Sequence, residues 1–534
     1  MVRIPFPFSF RLSTSSSFLN AHLHSSKSSY YRLHISQNRM ASSHASVFGL
    51  KDPSLIKFQG LIDGKWVDAK SGDTIVVRNP YNAEELGTVP EMGLAETREA
   101  IEAAERAFPA WSTTTAKHRH DLLIKFFRLM QEHHDDLGRL ITIENGKPLA
   151  EGKGENAYSA SFLEWFAEEA VRTYGEHIPS PIPGNRNIVI KQPIGVVSIL
   201  TPWNFPSAMI TRKLAAALAA GCTAVIKPPP ETPFSALALA ELSQRAGIPA
   251  GVINMVTTQK NVIEVGKEMC ENKIVKKVSF TGSTPVAKLL YGLASSTLKK
   301  VSLEAGGNAP FIVFDDANID EAVDAAILCK FRGSGQTCVC ANRIYVQSAV
   351  YADFAARLAE RVSKFKLGNG LEEGTTHGPL IHSRAVEKVE RHVNDAVQRG
   401  AQILVGGKAL PNTTFFLPTV LSDVPTDAAI NLEETFGPIA ALSKFETEEE
   451  VIKLANATDV GLAGYFFSRD VGRVWRVAEK LEVGMVGANT GIISQAVIPF
   501  GGVKESGLGR EGGHGIEDYM NTKLIVFGGL GTNA

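Results

Sequence analysis

The sequence predicts an α/β protein of two doubly wound domains, each a largely parallel sheet covered by helices on both faces. Three observations lead there. Short Val- and Ile-rich runs recur from Gly195 to Leu303 with helix-like stretches between them, a second series of the same kind starts at Phe311, and 534 residues exceed what a single core organises.

The folded part opens near Leu61, where Ile62-Asp63-Gly64-Lys65-Trp66 reads as strand, Asp-Gly bend and strand. Apolar positions Ile101, Ala104 and Phe108, then Leu122, Leu123, Phe126, Phe127 and Met130, follow helical spacing and predict covering helices across Thr97–Met130. Val196–Leu200, Ala224–Ile226, Val252–Val256, Lys277–Phe280 and Lys300–Leu303 read as buried strands, with helices over Ala208–Ala220, Pro233–Ala246 and Pro285–Leu298. In the second series, strands at Phe311–Phe314, Arg343–Gln347 and Gln402–Val405 are interleaved with helices near Asn318–Phe331, Val350–Phe365 and Arg384–Arg399. No low-complexity linker parts the two halves, which predicts a long shared interface.

Charge and composition exclude several classes. With 55 basic against 56 acidic side chains, neither a nucleic-acid nor a membrane surface is indicated. The longest small-apolar run, Leu214–Ile226, is too short to span a bilayer. The five cysteines suit a reducing compartment, and no Cys/His cluster has metal-ligand spacing, so no metal is expected. Met1 to Lys51 holds no Asp or Glu, six Lys or Arg and thirteen serines. That composition favours a transit peptide for the mitochondrial matrix over an untargeted disordered tail, and a second start at Met40 would leave a cytoplasmic form.

Gly335-Gln336-Thr337-Cys338-Val339-Cys340 places a thiol beside flexible backbone, although a lone cysteine is most often an inert core residue. Three further segments change its meaning: Pro202-Trp203-Asn204-Phe205-Pro206, Leu303-Glu304-Ala305-Gly306-Gly307-Asn308 and Glu434-Thr435-Phe436-Gly437-Pro438. Taken together, the four segments resemble the aldehyde dehydrogenase superfamily, and the resemblance runs from about Leu61 to Ile525. It implies an NAD(P)-dependent enzyme that oxidises a small aldehyde through Cys338. A free thiol is only about 3% ionised at pH 7, so such a nucleophile needs a base or a positive field. Glu304 matches the family's general base, acting on the thiol or on the water that hydrolyses the thioester. Asn204 matches the donor that, with the Cys338 backbone N–H, holds the oxyanion.

The one G-x-G-x-x-G string, Gly507 to Gly512, neither follows a clear strand nor opens a βαβ unit, and it reads as a C-terminal turn. The resemblance places the cofactor, NAD or NADP, elsewhere. Gly282 and Ser283 sit at a strand end, before a helix beginning near Pro285 whose N-terminus faces the pyrophosphate. Ala287 replaces the second glycine usual there, which predicts a shifted phosphate mode. Lys227 matches an adenine-ribose contact, Trp203 a cofactor contact, and Glu434 with Phe436 the nicotinamide-ribose contacts. Pro230 stands where many NAD-preferring relatives have a glutamate; Glu231, one position later, could compensate, so both cofactors stay open.

Arg212 and Arg332 with Ser494 resemble the carboxylate grip of succinic semialdehyde dehydrogenases within the superfamily. This implies oxidation of succinic semialdehyde to succinate in 4-aminobutyrate breakdown, with glutarate semialdehyde or a broad aliphatic aldehyde as the alternative. A guanidinium fork fits a carboxylate bidentately. The competing reading is an arginine engaged only in structural ion pairs, for which Glu321 or Asp324 are candidate partners. Cys340, two residues past the nucleophile, implies a reversible disulfide with Cys338. The resemblance also divides the chain into an NAD(P)-binding domain (52–175 and 194–305), a catalytic domain (306–505) and a small β bridging element (176–193 and 506–534) that builds homodimers or homotetramers.

Overall fold

Strands Val196–Leu200 and Thr223–Lys227 are buried along their whole length, and a strand buried on both faces needs helices on both sides of its sheet. The structure, a computed structural model, describes residues 48–531; most of the transit-like segment and the last three residues of the predicted bridging element lie outside them. Eight strands form the first sheet, in the order Lys65–Val67, Gly60–Ile62, Ile253–Met255, Thr223–Lys227, Val196–Leu200, Val275–Thr281, Lys300–Glu304 and Gly507–Leu508. The middle strands run parallel and the outer ones antiparallel. Leu200 is level with Lys227, and Thr281 with Glu304, so these residues share the carboxyl edge of the sheet. In open α/β sheets that edge is where ligands bind, because the loops leaving it diverge.

The second sheet has seven strands, in the order Gln402–Val405, Thr419–Ser422, Ile439–Phe445, Ala341–Gln347, Ala309–Val313, Ala463–Phe467 and Met485–Ala488. All but the first pair are parallel, which bears out the second doubly wound series. A separate sheet of three antiparallel strands joins Met520–Phe527, Arg186–Pro193 and Glu176–Ile178.

Local chemistry accounts for the boundaries. Asp63 and Gly64 take φ of 52° and 74°, the paired left-handed residues of a tight hairpin turn. The helices at Ala208–Ala220 and Pro233–Ala246 end at Gly221 and Gly247, both left-handed. The stretch predicted helical over Thr97–Met130 is two helices, Leu94–Ser112 and Ala116–Glu132, because the Thr115 hydroxyl caps the second by accepting from the His118 amide at 3.2 Å. Two further helices, His134–Asn145 and Leu149–Ala170, carry buried polar residues such as Glu144, Glu155 and Asn156, which hide the apolar period. The Gly507–Gly512 string is no mere terminal turn. Gly507 and Leu508 add an edge strand to the first sheet, and Glu511 reaches the interior.

Gly507 has φ of 142°, and a Cβ there would stand 1.9 Å from the Leu303 carbonyl oxygen. Gly507→Ala is therefore expected to loosen this edge at a cost of about 1–3 kcal/mol, read as a lower urea midpoint. An unchanged midpoint would count against the packing described.

Candidate active site

The loop carrying Cys338 lies between the helix Ile319–Phe331 and the strand Ala341–Gln347, and it begins with a left-handed turn. Gly333, Ser334 and Gly335 have φ of 57°, 55° and 73°. The Ser334 hydroxyl, donating to the Gly378 carbonyl at 2.7 Å, and the Glu151 carboxylate, accepting the Gly333 amide at 2.9 Å, hold the turn. Gly335 lies so close to the Glu434–Pro438 loop that a Cβ would stand 2.1 Å from the Gly437 carbonyl oxygen. At Gly307, a Cβ would meet the Cys338 carbonyl oxygen at 2.7 Å. The glycines beside Glu304 therefore let the thiol loop pack directly on the first sheet's carboxyl edge.

There the Cys338 thiol donates to Glu304 Oε1 at 3.3 Å. Burial raises the Cys338 pKa well above the ordinary thiol value, and the Glu304 carboxylate raises it further; Arg212 opposes them only in part. The resting group is a thiol. Glu304 Oε2 accepts from the Thr281 hydroxyl at 3.0 Å, and Lys213 Nζ donates to that hydroxyl at 2.6 Å. Lys213 also pairs with Glu511. Arg212 completes a ring of buried charge: Nη1 lies 3.6 Å from Glu304 Oε2 and Nε 2.7 Å from Glu511 Oε2, the latter an ion pair without hydrogen-bond alignment. Burial pulls the Arg212 pKa down, but Glu304 and Glu511 outweigh it and hold the guanidinium charged. Burial pushes Glu511 up, and Lys213 with Arg212 outweigh it and keep the pKa low.

Asn204 follows the strand Val196–Leu200. Its Nδ2 donates to the Gln336 carbonyl at 3.0 Å, and its buried Oδ1 has no hydrogen-bond partner among the described residues. The Asn204 carbonyl accepts from Lys147 Nζ at 2.8 Å, and Lys147 is paired with Glu155 at 2.6 Å. These contacts fix the amide beside the thiol loop. A cavity of about 220 Å³ opens onto Cys338, and Arg212, Arg332 and Ser494 all line it. Arg212 Nη2 is buried without a hydrogen-bond partner among the described residues, and the Arg332 guanidinium lies 5.6 Å over the Phe205 ring. Arg212's carboxylate partners are Glu304 and Glu511, whereas Asp324 pairs with Arg361, which corrects the expectation of Glu321 or Asp324.

The residues predicted for the cofactor also converge. Ser283 precedes the helix Thr284–Ala294 without capping it, so the amides of that N-terminus stay open toward a phosphate. Ala287, at the position of the replaced glycine, is 4% exposed and packs in the core under the sheet. Lys227 ends its strand, and burial lowers its pKa to about 8 against the opposing charge of Glu231. Trp203 and Phe436 meet edge to face at 5.7 Å. Burial raises the Glu434 pKa to about 7; its Oε1 accepts the Gly307 amide at 3.3 Å, and a Cβ on Gly306 would stand 2.9 Å from its Oε2. A free helix N-terminus, a lysine, a carboxylate and an aromatic wall along one edge fit a dinucleotide. Pro230 and Glu231 are half-buried at the start of the helix Pro233–Ala246. Cys340 is a free, buried thiol whose Sγ faces the Lys330 carbonyl at 3.6 Å, away from Glu304's contact with Cys338.

Sequence reasoning missed Glu511, Lys213, Lys147, Glu151 and Tyr158, which surround the predicted residues. The available signal was Glu151, Gly154, Glu155 and Tyr158 at helical spacing along one face of a helix.

Opposite pH effects are expected from the charges beside the thiol. The alkylation rate of Cys338 should rise only well above the ordinary thiol range; Glu304→Gln should move that midpoint down, and Arg212→Met should move it up. Shifts of the same sign in both variants would contradict the geometry.

The chain matches the sequence profile of the Aldehyde dehydrogenase family over residues 66–525. It is 60% identical over 477 residues to a glutarate-semialdehyde dehydrogenase of Pseudomonas putida, covering 89% of this chain and 99% of that one. It is 57% identical over 481 residues to an NADP(+) succinate-semialdehyde dehydrogenase of Escherichia coli, covering 90% and 99%. A crystal structure of a succinate-semialdehyde dehydrogenase from Burkholderia pseudomallei superposes with a TM-score of 0.89 at 54% identity, over 90% of this chain and 100% of the other. With its thiol, carboxylate and amide gathered at the edge between two doubly wound sheets, this chain belongs to the aldehyde dehydrogenase family.

Proposed function

We propose that the protein oxidises succinic semialdehyde to succinate with NAD or NADP, the closing step of 4-aminobutyrate breakdown. The observation that carries this reading is a cavity lined by Cys338, Arg332 and Arg212, whose buried Nη2 has no hydrogen-bond partner among the described residues. A buried guanidinium nitrogen without a partner is costly, and a carboxylate on the substrate relieves it. An uncharged aldehyde leaves it unpaired. Ser494, at the same wall, supplies a hydroxyl to the carboxylate. Glutarate semialdehyde, one methylene longer, is the second reading, favoured by the Pseudomonas putida relative.

In this mechanism Glu304 takes the Cys338 proton along the 3.3 Å contact, and the thiolate attacks the aldehyde carbon. Asn204 Nδ2, already aimed into the loop by Gln336, turns a donor toward the developing oxyanion. A bound nicotinamide would supply the acceptor for the hydride lost from the carbon bonded to Cys338, which leaves that carbon as a thioester. Trp203, Lys227, Pro230, Gly282, Ser283, Glu434 and Phe436 would hold the cofactor, and the absence of an acidic side chain at Pro230 would admit a 2′-phosphate. Once Glu304 has released the thiol's proton to solvent, its carboxylate takes a proton from the water that hydrolyses the thioester; Thr281, Lys213 and Glu511 keep its second oxygen oriented.

The same reading extends to assembly, regulation and location. The edge strand Met520–Phe527, with Leu524, Val526 and Phe527 exposed, extends sheets between subunits in a homodimer or homotetramer. Oxidation joins Cys338 to Cys340 and removes the nucleophile, which requires the turn closed by the Cys340 amide on Thr337 to rearrange. Met1 to Lys51 directs the chain to the mitochondrial matrix, and initiation at Met40 yields a cytoplasmic form.

Steady-state kcat/KM for succinic semialdehyde, glutarate semialdehyde and butanal, each with NAD and NADP, tests this. The acid aldehydes are expected to exceed butanal by about a hundredfold, and Arg332→Met to remove most of that margin. Comparable values for acid and neutral aldehydes in the unmodified protein would sink the carboxylate reading. Asn204→Ala is expected to lower kcat by about a hundred- to a thousandfold with little change in KM. Peroxide sensitivity is expected to be lost in Cys340→Ala.

A further inference from the structure

Tyr158 lies on the Leu149–Ala170 helix, on the face that also presents Glu151, Gly154 and Glu155 to the cavity. Glu151 and Glu155 are committed, one to the Gly333 amide and the other to Lys147 and the Ser207 amide. Tyr158 is not. Its hydroxyl is buried and has no hydrogen-bond partner among the described residues. The ring is held edge-on to Phe162 at 4.9 Å, and Phe162 in turn lies 5.7 Å from the Arg212 guanidinium. The phenol is thus fixed in place; Arg212 and Arg332 line the same cavity, and both of them and Glu304 act on it electrostatically. Burial raises its pKa above the ordinary phenol value, so it stays protonated and remains a donor.

A protonated phenol that lines one cavity with two guanidinium groups can donate to an acceptor carrying negative charge, and a carboxylate has lone pairs enough for all three. We propose that Tyr158 donates its O–H to the substrate carboxylate, as a third donor beside Arg212 and Arg332, and so sets the preference for anionic over uncharged aldehydes. The assignment rests on the carboxylate reading of the cavity. A pocket that hydrogen-bonds its substrate discriminates strongly against an analogue lacking the acceptor, because its own buried groups are then left unpaired.

Tyr158→Phe in the full chain removes the oxygen and keeps the ring. Its kcat/KM for succinic semialdehyde is expected to fall about ten- to a hundredfold, through KM, while that for butanal stays within about twofold. The inhibition constant of succinate should rise in parallel. Equal losses for both aldehydes would mark a packing role and overturn the proposal, as would unchanged constants for both. Arg332→Met, run alongside, separates the two readings. If the unmodified protein discriminates against butanal and Arg332→Met abolishes this while Tyr158→Phe retains it, only the Tyr158 assignment fails. If the unmodified protein does not discriminate, the carboxylate reading fails with it.

Discussion

Four buried charges, Arg212, Lys213, Glu304 and Glu511, are the constraint on which the rest of the site depends. Two positive and two negative groups, each less than 10% exposed, neutralise one another where water cannot. Removing one member of such a set leaves an uncompensated charge, typically at a cost of about 3–5 kcal/mol, so the cluster fixes its members together. It ties the carboxyl edge of the first sheet to the helix Ala208–Ala220 and to the segment after Gly507. It also sets the field at the thiol, where Glu304 and Arg212 act with opposite sign.

The second requirement is close backbone approach. The thiol belongs to a loop before a strand of the second sheet, whereas its carboxylate partner ends a strand of the first. A contact of 3.3 Å between them is reached because Gly307 and Gly335 present no side chain where the loops cross. The Asn204 amide is brought to the same place by its bond to the Gln336 carbonyl and by Lys147 behind it. Positioning is therefore distributed over ordered backbone, which suits a reaction needing its groups pre-aimed.

Much of this was legible in the chain. The strands of the first series follow from apolar runs, and the helices Ala208–Ala220 and Pro233–Ala246 fall where the pattern places them, whereas in the second sheet Thr419–Ser422, Ile439–Phe445, Ala463–Phe467 and Met485–Ala488 were not among the strands read from the sequence. Cys338, Glu304, Asn204, Arg212, Arg332 and Ser494 stood out through local motifs, and they meet at one cavity and its floor. The helix Leu149–Ala170 did not stand out, because the buried face of its first half carries Glu155, Asn156 and Ser159, and the apolar residues Phe162, Leu163 and Phe166 come only in its second half. Glu511 was hidden inside a glycine-rich string whose context pointed to a turn.

The sequence by itself determined the fold class, the family resemblance and the reactive residues, because periodicity and short motifs are local properties of a chain. Only the tertiary structure decided the electrostatics. That Arg212 faces Glu304 and Glu511, that Lys213 reaches Thr281, and that the Tyr158 hydroxyl has no hydrogen-bond partner among the described residues depend on how residues tens to hundreds of positions apart are brought together. Burial multiplies the strength of such contacts by lowering the local dielectric, and burial belongs to the assembled fold, not to any segment of it.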